Sequence, residues 1–387
     1  MANLVKKFFS GIGAIRRKSG TYRKIKSVDE LTNDFTDRNL DFVDLSELDL
    51  SEFGELFLSH PTGWASHSGV YGWTENVIWP TPDKMPKGFN PQQHIDSHKH
   101  LTEIDSLHQD GITGRGINIA ILDSLFNPNH PEYKDNIKYF QKPLIKMKAN
   151  GPKTEHHGSM VVGCAVGKTT GVAPDASVYY FTRAKNNQDR GRETIAVLQS
   201  VLEFNKKQSA KNKINILSCS WAPQRLATTD QELQEIITLF QQIESTGVKI
   251  IFCGGDKTKD SFAVSVIDFL PTSKDTKTEY QDGIVYIPTN EKTVPFHTGG
   301  YLYQKTGGDS SAAPYLAGVY ACALQDNQIF MSRPNWQKEL DTIMKQTATK
   351  AKNGAFMINP MGIRERVTEI AREMERDLIK QKSVQYE

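Results

Sequence analysis

Cysteine is scarce in this chain: four residues among 387, at positions 164, 219, 253 and 322, with no C-x-x-C pair. That excludes a disulfide framework and a thiolate zinc site. Cys164, Cys219, Cys253 and Cys322 each lie inside an apolar segment. They are expected to be buried reduced thiols, which points to a cytoplasmic setting. Long apolar runs are missing too, and none approaches the roughly 18 residues that read as a membrane span. Nor is one sign of charge in surplus. A net charge of +2 argues against a nucleic-acid partner, which calls for a clustered basic excess. No loop clusters acidic ligands, so no metal and no cofactor are assigned. What is present, 38% hydrophobic and 24% charged residues, is an ordinary globular composition with room for one large domain or two smaller ones.

Charge is unevenly spread. Residues 1–27 hold eight Lys or Arg and no acid, whereas residues 28–55 hold ten Asp or Glu against Arg38. The contrast marks residues 1–93 as an N-terminal extension of unknown role. Leu4, Val5, Phe8, Phe9, Ile12 and Ile15 recur at helical spacing among Lys6, Lys7, Arg16 and Arg17. Such a helix either packs on the protein's own body or makes weak contact, through residues 1–18, with an anionic membrane surface. Arg16-Arg17-Lys18 stands where a signal peptide would need small residues for cleavage. Farther on, Leu40, Val43, Leu45, Leu48, Leu50 and Phe53 alternate with acids. Residues 60–91, rich in Trp, Pro, Gly and Ser, read as irregular surface structure. His94, His98, His100 and His108 crowd the next stretch without a Cys or an H-E-x-x-H pattern. Ile95, Leu101, Ile104 and Leu107 are read instead as the buried stripe of a helix ending at Gly111.

From Gly111 the pattern alternates. Apolar strands are predicted at 117–122, 178–181, 214–217 and 248–252, and helices at 160–166, 194–206, 231–246, 336–345 and 362–380. Fully apolar strands separated by helices of this length predict a parallel sheet covered on both faces. The chain is therefore of α/β class, with a main domain over 94–350 and a C-terminal helical tail over 351–387. Gly111, Gly114 and Gly116 precede a strand instead of joining a strand to a helix, which rules out a dinucleotide fingerprint.

Three chemistry-bearing residues stand at strand ends or helix starts. Asp123 follows Ile-Ala-Ile-Leu at the C-terminal end of the first parallel strand, where α/β sheets build their sites. His157-Gly158-Ser159 opens the next small-residue helix, with His156 beside it as the weaker candidate for a base. Gly307-Gly308-Asp309-Ser310 opens a helix that continues Ser-Ala-Ala-Pro-Tyr-Leu-Ala-Gly. Glycines permit a sharp turn, and free N–H groups at a helix start face any anion formed there. Taken singly, each of these is more often a turn acid, a helix cap or a packed helix. Together, in the order Asp, His, Ser, they describe a nucleophile, its base and the acid that orients the base.

These motifs resemble those of the subtilisin-like serine proteases, the subtilases. Ile-Leu-Asp123-Ser resembles the family's Asp motif, and Asn129-His130-Pro131-Glu132-Tyr133 its following H-P-x-[LY] turn. His157-Gly158-Ser159-Met160-Val161-Val162-Gly163 is similar to H-G-T-H-V-A-G. Gly171-Val172-Ala173-Pro174-Asp175-Ala176 is close to G-V-A-P-x-A, and Gly308-Asp309-Ser310-Ser311-Ala312-Ala313-Pro314 resembles G-T-S-M-A-S-P. The likeness runs over about residues 95–350. It implies a three-layer α/β/α sandwich with a mainly parallel central sheet, and a serine endopeptidase acting on peptide or protein substrates. Ser310 would be the nucleophile, His157 the base and Asp123 its orienter. Ser218, Ser220 and Gly255 fall at substrate-binding positions, the first two on a strand that would hold substrate as an added β-strand. The likeness also admits calcium, for which no ligand set is identified. The sequence assigns no oligomeric state.

Departures from the pattern matter. Leu125 stands for the family's glycine after the Asp, Met160 for its second histidine and Asp309 for its threonine. The largest lies in Gly254-Gly255-Asp256, where the family has an Asn that donates to the oxyanion. Asp256 donates only if protonated, and losing such a donor costs roughly 10²–10³ in kcat. The expected enzyme is therefore slow or narrowly specific. The alternative is a weak or inactive pseudoprotease that binds peptides or regulates. A non-proteolytic α/β hydrolase fails, since its serine would sit in G-x-S-x-G and its chain order would be Ser, Asp, His.

Overall fold

The computed structural model describes residues 22–24, 27, 42–45, 47–53, 71–73, 77–84, 102–144, 154–183, 189–253, 285–289, 292–297, 299–304, 309–351 and 354–384. The chain divides into two compact units, Met1–Lys87 and Gly88–Glu387. That division falls at 87/88 where the sequence suggests 93/94, and it keeps residues 351–387 with the main unit.

In the first unit, β1 (Tyr22–Lys24), β2 (Phe42–Asp44) and β3 (Tyr71–Trp73) pair in parallel in that order. The acid–leucine rhythm becomes an in-and-out alternation: Leu45, Leu48 and Leu50 are buried while Glu47 and Asp49 are exposed. Asp49 bridges to Ile78. The basic segment 4–17 lies outside the described residues.

The second unit is built on five parallel strands: β4 (Asn118–Asp123), β5 (Ile137–Gln141), β6 (Ser177–Thr182), β7 (Ile216–Cys219) and β8 (Lys249–Phe252). Their spatial order is β5-β6-β4-β7-β8. The order reverses at β4, so the C-terminal ends of β4 and its neighbours open a crevice suited to a site. Gly111, Gly114 and Gly116, at φ 73°, 79° and 82°, shape the turns that lead into β4.

The longer helices described in this unit are α1 (Ile104–Gln109), α2 (His156–Val166), α3 (Arg190–Lys207), α4 (Asp230–Ser245), α5 (Asp309–Leu324), α6 (Trp336–Thr347) and α7 (Pro360–Val384). One face of the sheet presents Ala120, Leu122, Phe181, Leu217, Ile250 and Phe252 to α3 and α4. There Val197, Leu198, Val201, Ile236, Phe240 and Ile243 complete the core. Phe240 meets Phe252 edge-on at 4.4 Å. Burying each such side chain stabilises by roughly 1.5–3 kcal/mol. α2 and α5 cover the opposite face and pack against each other, which makes three layers. Their approach depends on Gly318, where an added Cβ would lie 3.0 Å from the Ala165 carbonyl oxygen of α2. All four cysteines are free and buried.

α7 packs on α1, α5 and α6 through buried Ile363, Val367, Ile370 and Ala371. A hairpin, β9 (Lys292–Pro295) and β10 (Tyr301–Gln304), is antiparallel, and β9 lies against α2. Among the described residues, no helix is long and apolar enough to cross a membrane, and no group of three His, Cys, Asp or Glu is placed to hold a metal.

Candidate active site

Asp123 closes β4 and is fully buried. Its Oδ1 accepts from the Ser124 backbone N–H at 2.7 Å, from Ser124 Oγ at 3.2 Å, and from His157 Nδ1–H at 2.7 Å. A carboxylate on Nδ1 fixes the tautomer that leaves Nε2 as the acceptor, which is what a general base requires. The imidazole can reach Asp123 because the first turn of α2 lies against the loop after β4. Gly158 permits that approach: a Cβ there would lie 2.4 Å from the Leu125 carbonyl oxygen and 2.8 Å from that of Ser124. Tyr180 supports the same loop by donating its buried hydroxyl to the Ser124 carbonyl.

The two adjacent histidines part company. His157 turns to Asp123 and stacks on Trp221, with ring centroids 5.7 Å apart and planes within 13°. His156 turns the other way, against Phe296 at 5.9 Å. His157 keeps a partly exposed side chain, at 22%.

Ser310 occupies the first turn of α5. Pro314, four residues on, has no N–H, so the Ser310 carbonyl lacks its helical donor. Ser220 Oγ takes that place and donates to the Ser310 carbonyl at 2.9 Å. In return, Ser310 Oγ donates to the Ser220 carbonyl at 3.4 Å. This two-way contact pins the start of α5 to the end of β7. Ser311 adds a bond from its Oγ to Met160 Sδ at 3.5 Å, tying α5 to α2 one turn beyond His157. Ser310 and His157 therefore share a neighbourhood: Ser220 bonds the serine, and Trp221, next in sequence, stacks on the imidazole. No hydrogen bond joins Ser310 to His157 among the described residues.

Ser218 stands apart. Its side chain is buried within β7, and that segment pairs with β4 on one side and β8 on the other. A strand with both edges occupied has no room for an added one, so backbone available to a peptide begins past Cys219, at Ser220. Gly255 and Asp256 lie outside the described residues.

Sequence reading passed over Arg183. It follows β6 directly, its backbone N–H bonds the Asp123 carbonyl at 2.8 Å, and its guanidinium lies 4.3 Å from the Trp221 ring centre. The signal that singled out Asp123, a charged residue closing an apolar parallel strand, applies equally to Arg183.

The family model for subtilases matches residues 114–358. A curated relative, the subtilisin-like protease PopC of Myxococcus xanthus (strain DK1622), is 23% identical over 262 residues. That match covers 57% of this chain and 54% of the relative, so the chain spans about half the length of the curated protein it matches. Among solved structures, the prenylagaramide maturation protease PagA is 18% identical with a TM-score of 0.49, covering 68% of this chain and 98% of that one. A cold-adapted subtilisin-like serine proteinase is 18% identical with a TM-score of 0.47, covering 64% and 90%.

Proposed function

The chain belongs to the subtilase family, and from that premise we propose that it is a serine endopeptidase acting on peptides or proteins through Asp123, His157 and Ser310. The observation that carries the reading is the 2.7 Å bond from His157 Nδ1 to Asp123, beside a serine at a helix start. In the reaction, Ser310 Oγ turns from the Ser220 carbonyl toward His157 Nε2, gives up its proton there and attacks the scissile carbonyl. The imidazolium, stabilised by Asp123, then returns the proton to the leaving amine. Such bonds are often long or misaligned before substrate binds and tighten in the complex. The backbone N–H of Ser310, at the positive end of α5, faces the oxyanion.

Asp256 in place of the usual Asn makes this enzyme slow or narrowly specific. The second reading, a pseudoprotease that binds peptides without cutting them, draws on that substitution and on the unformed Ser310–His157 bond. Ser220 is the substrate-binding residue best placed at the cleft. Buried, reduced cysteines favour a cytoplasmic site of action, and no calcium is invoked.

A fluorophosphonate probe separates the two readings. Label on Ser310, lost in Ser310→Ala, is the expected result. Absence of label on the folded chain would leave the peptide-binding reading.

A further inference from the structure

The Trp221 ring meets both an imidazole and a guanidinium. His157 lies nearly parallel to its ring, and the Arg183 guanidinium sits over it. Arg183 is itself 4% exposed, and both its backbone and its charge have partners. Its backbone bonds the Asp123 carbonyl, and the buried carboxylate of Glu193, in α3, supplies an opposing charge. A cation is thereby fixed in low-dielectric surroundings beside the acid–base pair, where screening by water is weak. The indole face attracts both the guanidinium and a flat neighbouring ring.

We propose that Arg183 is a positioning residue for His157, acting through Trp221. The guanidinium steadies the indole, the indole fixes the plane of the imidazole, and the nearby positive charge disfavours the imidazolium. His157 then stays neutral, and able to accept a proton, to lower pH than the Asp123 bond alone would allow. Among the described residues, the other charged or titratable groups around this pair include Glu193 and Arg190 in α3, Tyr180 in β6, Glu155 and His156 in the turn that opens α2, and Cys219 in β7. Burial pushes the Cys219 thiol up to about 12, so it carries no charge. Asp123 favours the imidazolium, and Arg183 opposes it.

The catalytic consequence rests on the peptidase reading, but its test does not. In the full chain carrying ¹³C-labelled histidine, the His157 resonance, assigned by its loss in His157→Gln, is titrated by NMR. Arg183→Met should raise the titration midpoint by roughly half to one pH unit, the size expected of one nearby charge at partial screening. Arg183→Lys keeps the charge and should stay within a few tenths. Trp221→Leu lets water reach the ring and should also raise the midpoint. Should Arg183→Met fail to fold, the partly exposed Trp221 position decides alone. An unchanged midpoint in the folded variants overturns the proposal, as does a Lys variant that drifts as far as Met. The acid limb of fluorophosphonate labelling should move to higher pH in step with the midpoint. A shifted midpoint in a chain that never labels would sustain the inference while removing the peptidase reading.

Discussion

His157 and His130 each lie close to an acid in a motif of this chain, Asp123 for the first and Glu132 for the second. His157 is partly exposed, holds Asp123 through Nδ1, and has no hydrogen bond at its other ring nitrogen among the described residues. His130 is fully buried, with Nε2–H donated to the Gly300 carbonyl at 2.7 Å and Nδ1 accepting from the Glu132 backbone N–H at 3.2 Å. The carboxylates differ in the same sense. Among the described residues, Asp123 Oδ2 has no partner. Glu132 accepts from the backbone and hydroxyl groups of Thr169 and Thr170 and from the Tyr301 hydroxyl. A pair that moves protons needs a nitrogen facing the reaction. A pair that braces the fold has every group engaged, here clamping the loop after β4 to the end of α2 and the β9–β10 hairpin.

The largest expected effects test that division of labour. His157→Ala should lower kcat or fluorophosphonate labelling by about 10⁶ and Asp123→Asn by about 10⁴, the scale of triad substitutions, while the melting temperature stays within a few degrees. His130→Ala should do the reverse. Its melting temperature should drop, and labelling per folded molecule should hold within about threefold. A His130 variant that folds normally yet fails to label would erase the distinction.

Much of this was legible in the sequence, for identifiable physical reasons. Strands β4, β6, β7 and β8 are buried on both faces and read as continuous apolar runs, which located them to within two residues. β5 went unread because it is an edge strand: Lys138 is exposed and its neighbours are only half covered. α2 begins at His156, four residues before its apolar stretch, because the opening His-His-Gly-Ser has no hydrophobic period. Asp123, His157 and Ser310 stood out through strand ends and small-residue helix starts. The burial of Ser218 and the Arg183–Trp221 contact depend on which strands become neighbours, and linear spacing does not carry that.

A smaller effect comes from Glu132→Gln. Burial pushes the Glu132 carboxyl up, but the bonds from Thr169, Tyr301 and Thr170 together outweigh it and leave its pKa below the ordinary glutamate value. The amide keeps the shape but meets donors with a donor of its own. The loss should be about 1–3 kcal/mol, read as a melting temperature lower by several degrees at pH 7. Because the folded value is depressed, the unfolded chain binds the proton first as pH falls. The stabilisation is present above the unfolded pKa and is lost as pH drops through the folded one. The Gln variant should melt with a flatter acid limb below about pH 5. An unchanged limb would place the acid sensitivity elsewhere.

The smallest effect belongs to His130. Burial lowers its pKa from the model-peptide value of 6.5, outweighing the Gly300 carbonyl and the Glu132 charge, which pull the other way. The folded chain therefore holds His130 neutral at pH values where the unfolded chain already protonates it. Stability should then be complete above about pH 6.5 and decline as pH falls toward the folded value. His130→Gln keeps an N–H for the Gly300 carbonyl and removes the titration, so its melting temperature should change less between pH 7.5 and 5.5 than that of the parent. His157 gives the contrast, since its ring is partly exposed and bonds a carboxylate instead of being enclosed by the fold. His157→Gln should leave the decline in place. If His157→Gln flattened the curve and His130→Gln did not, the exposed pair would be the one that stabilises the fold, and the two sites would have exchanged the roles assigned to them.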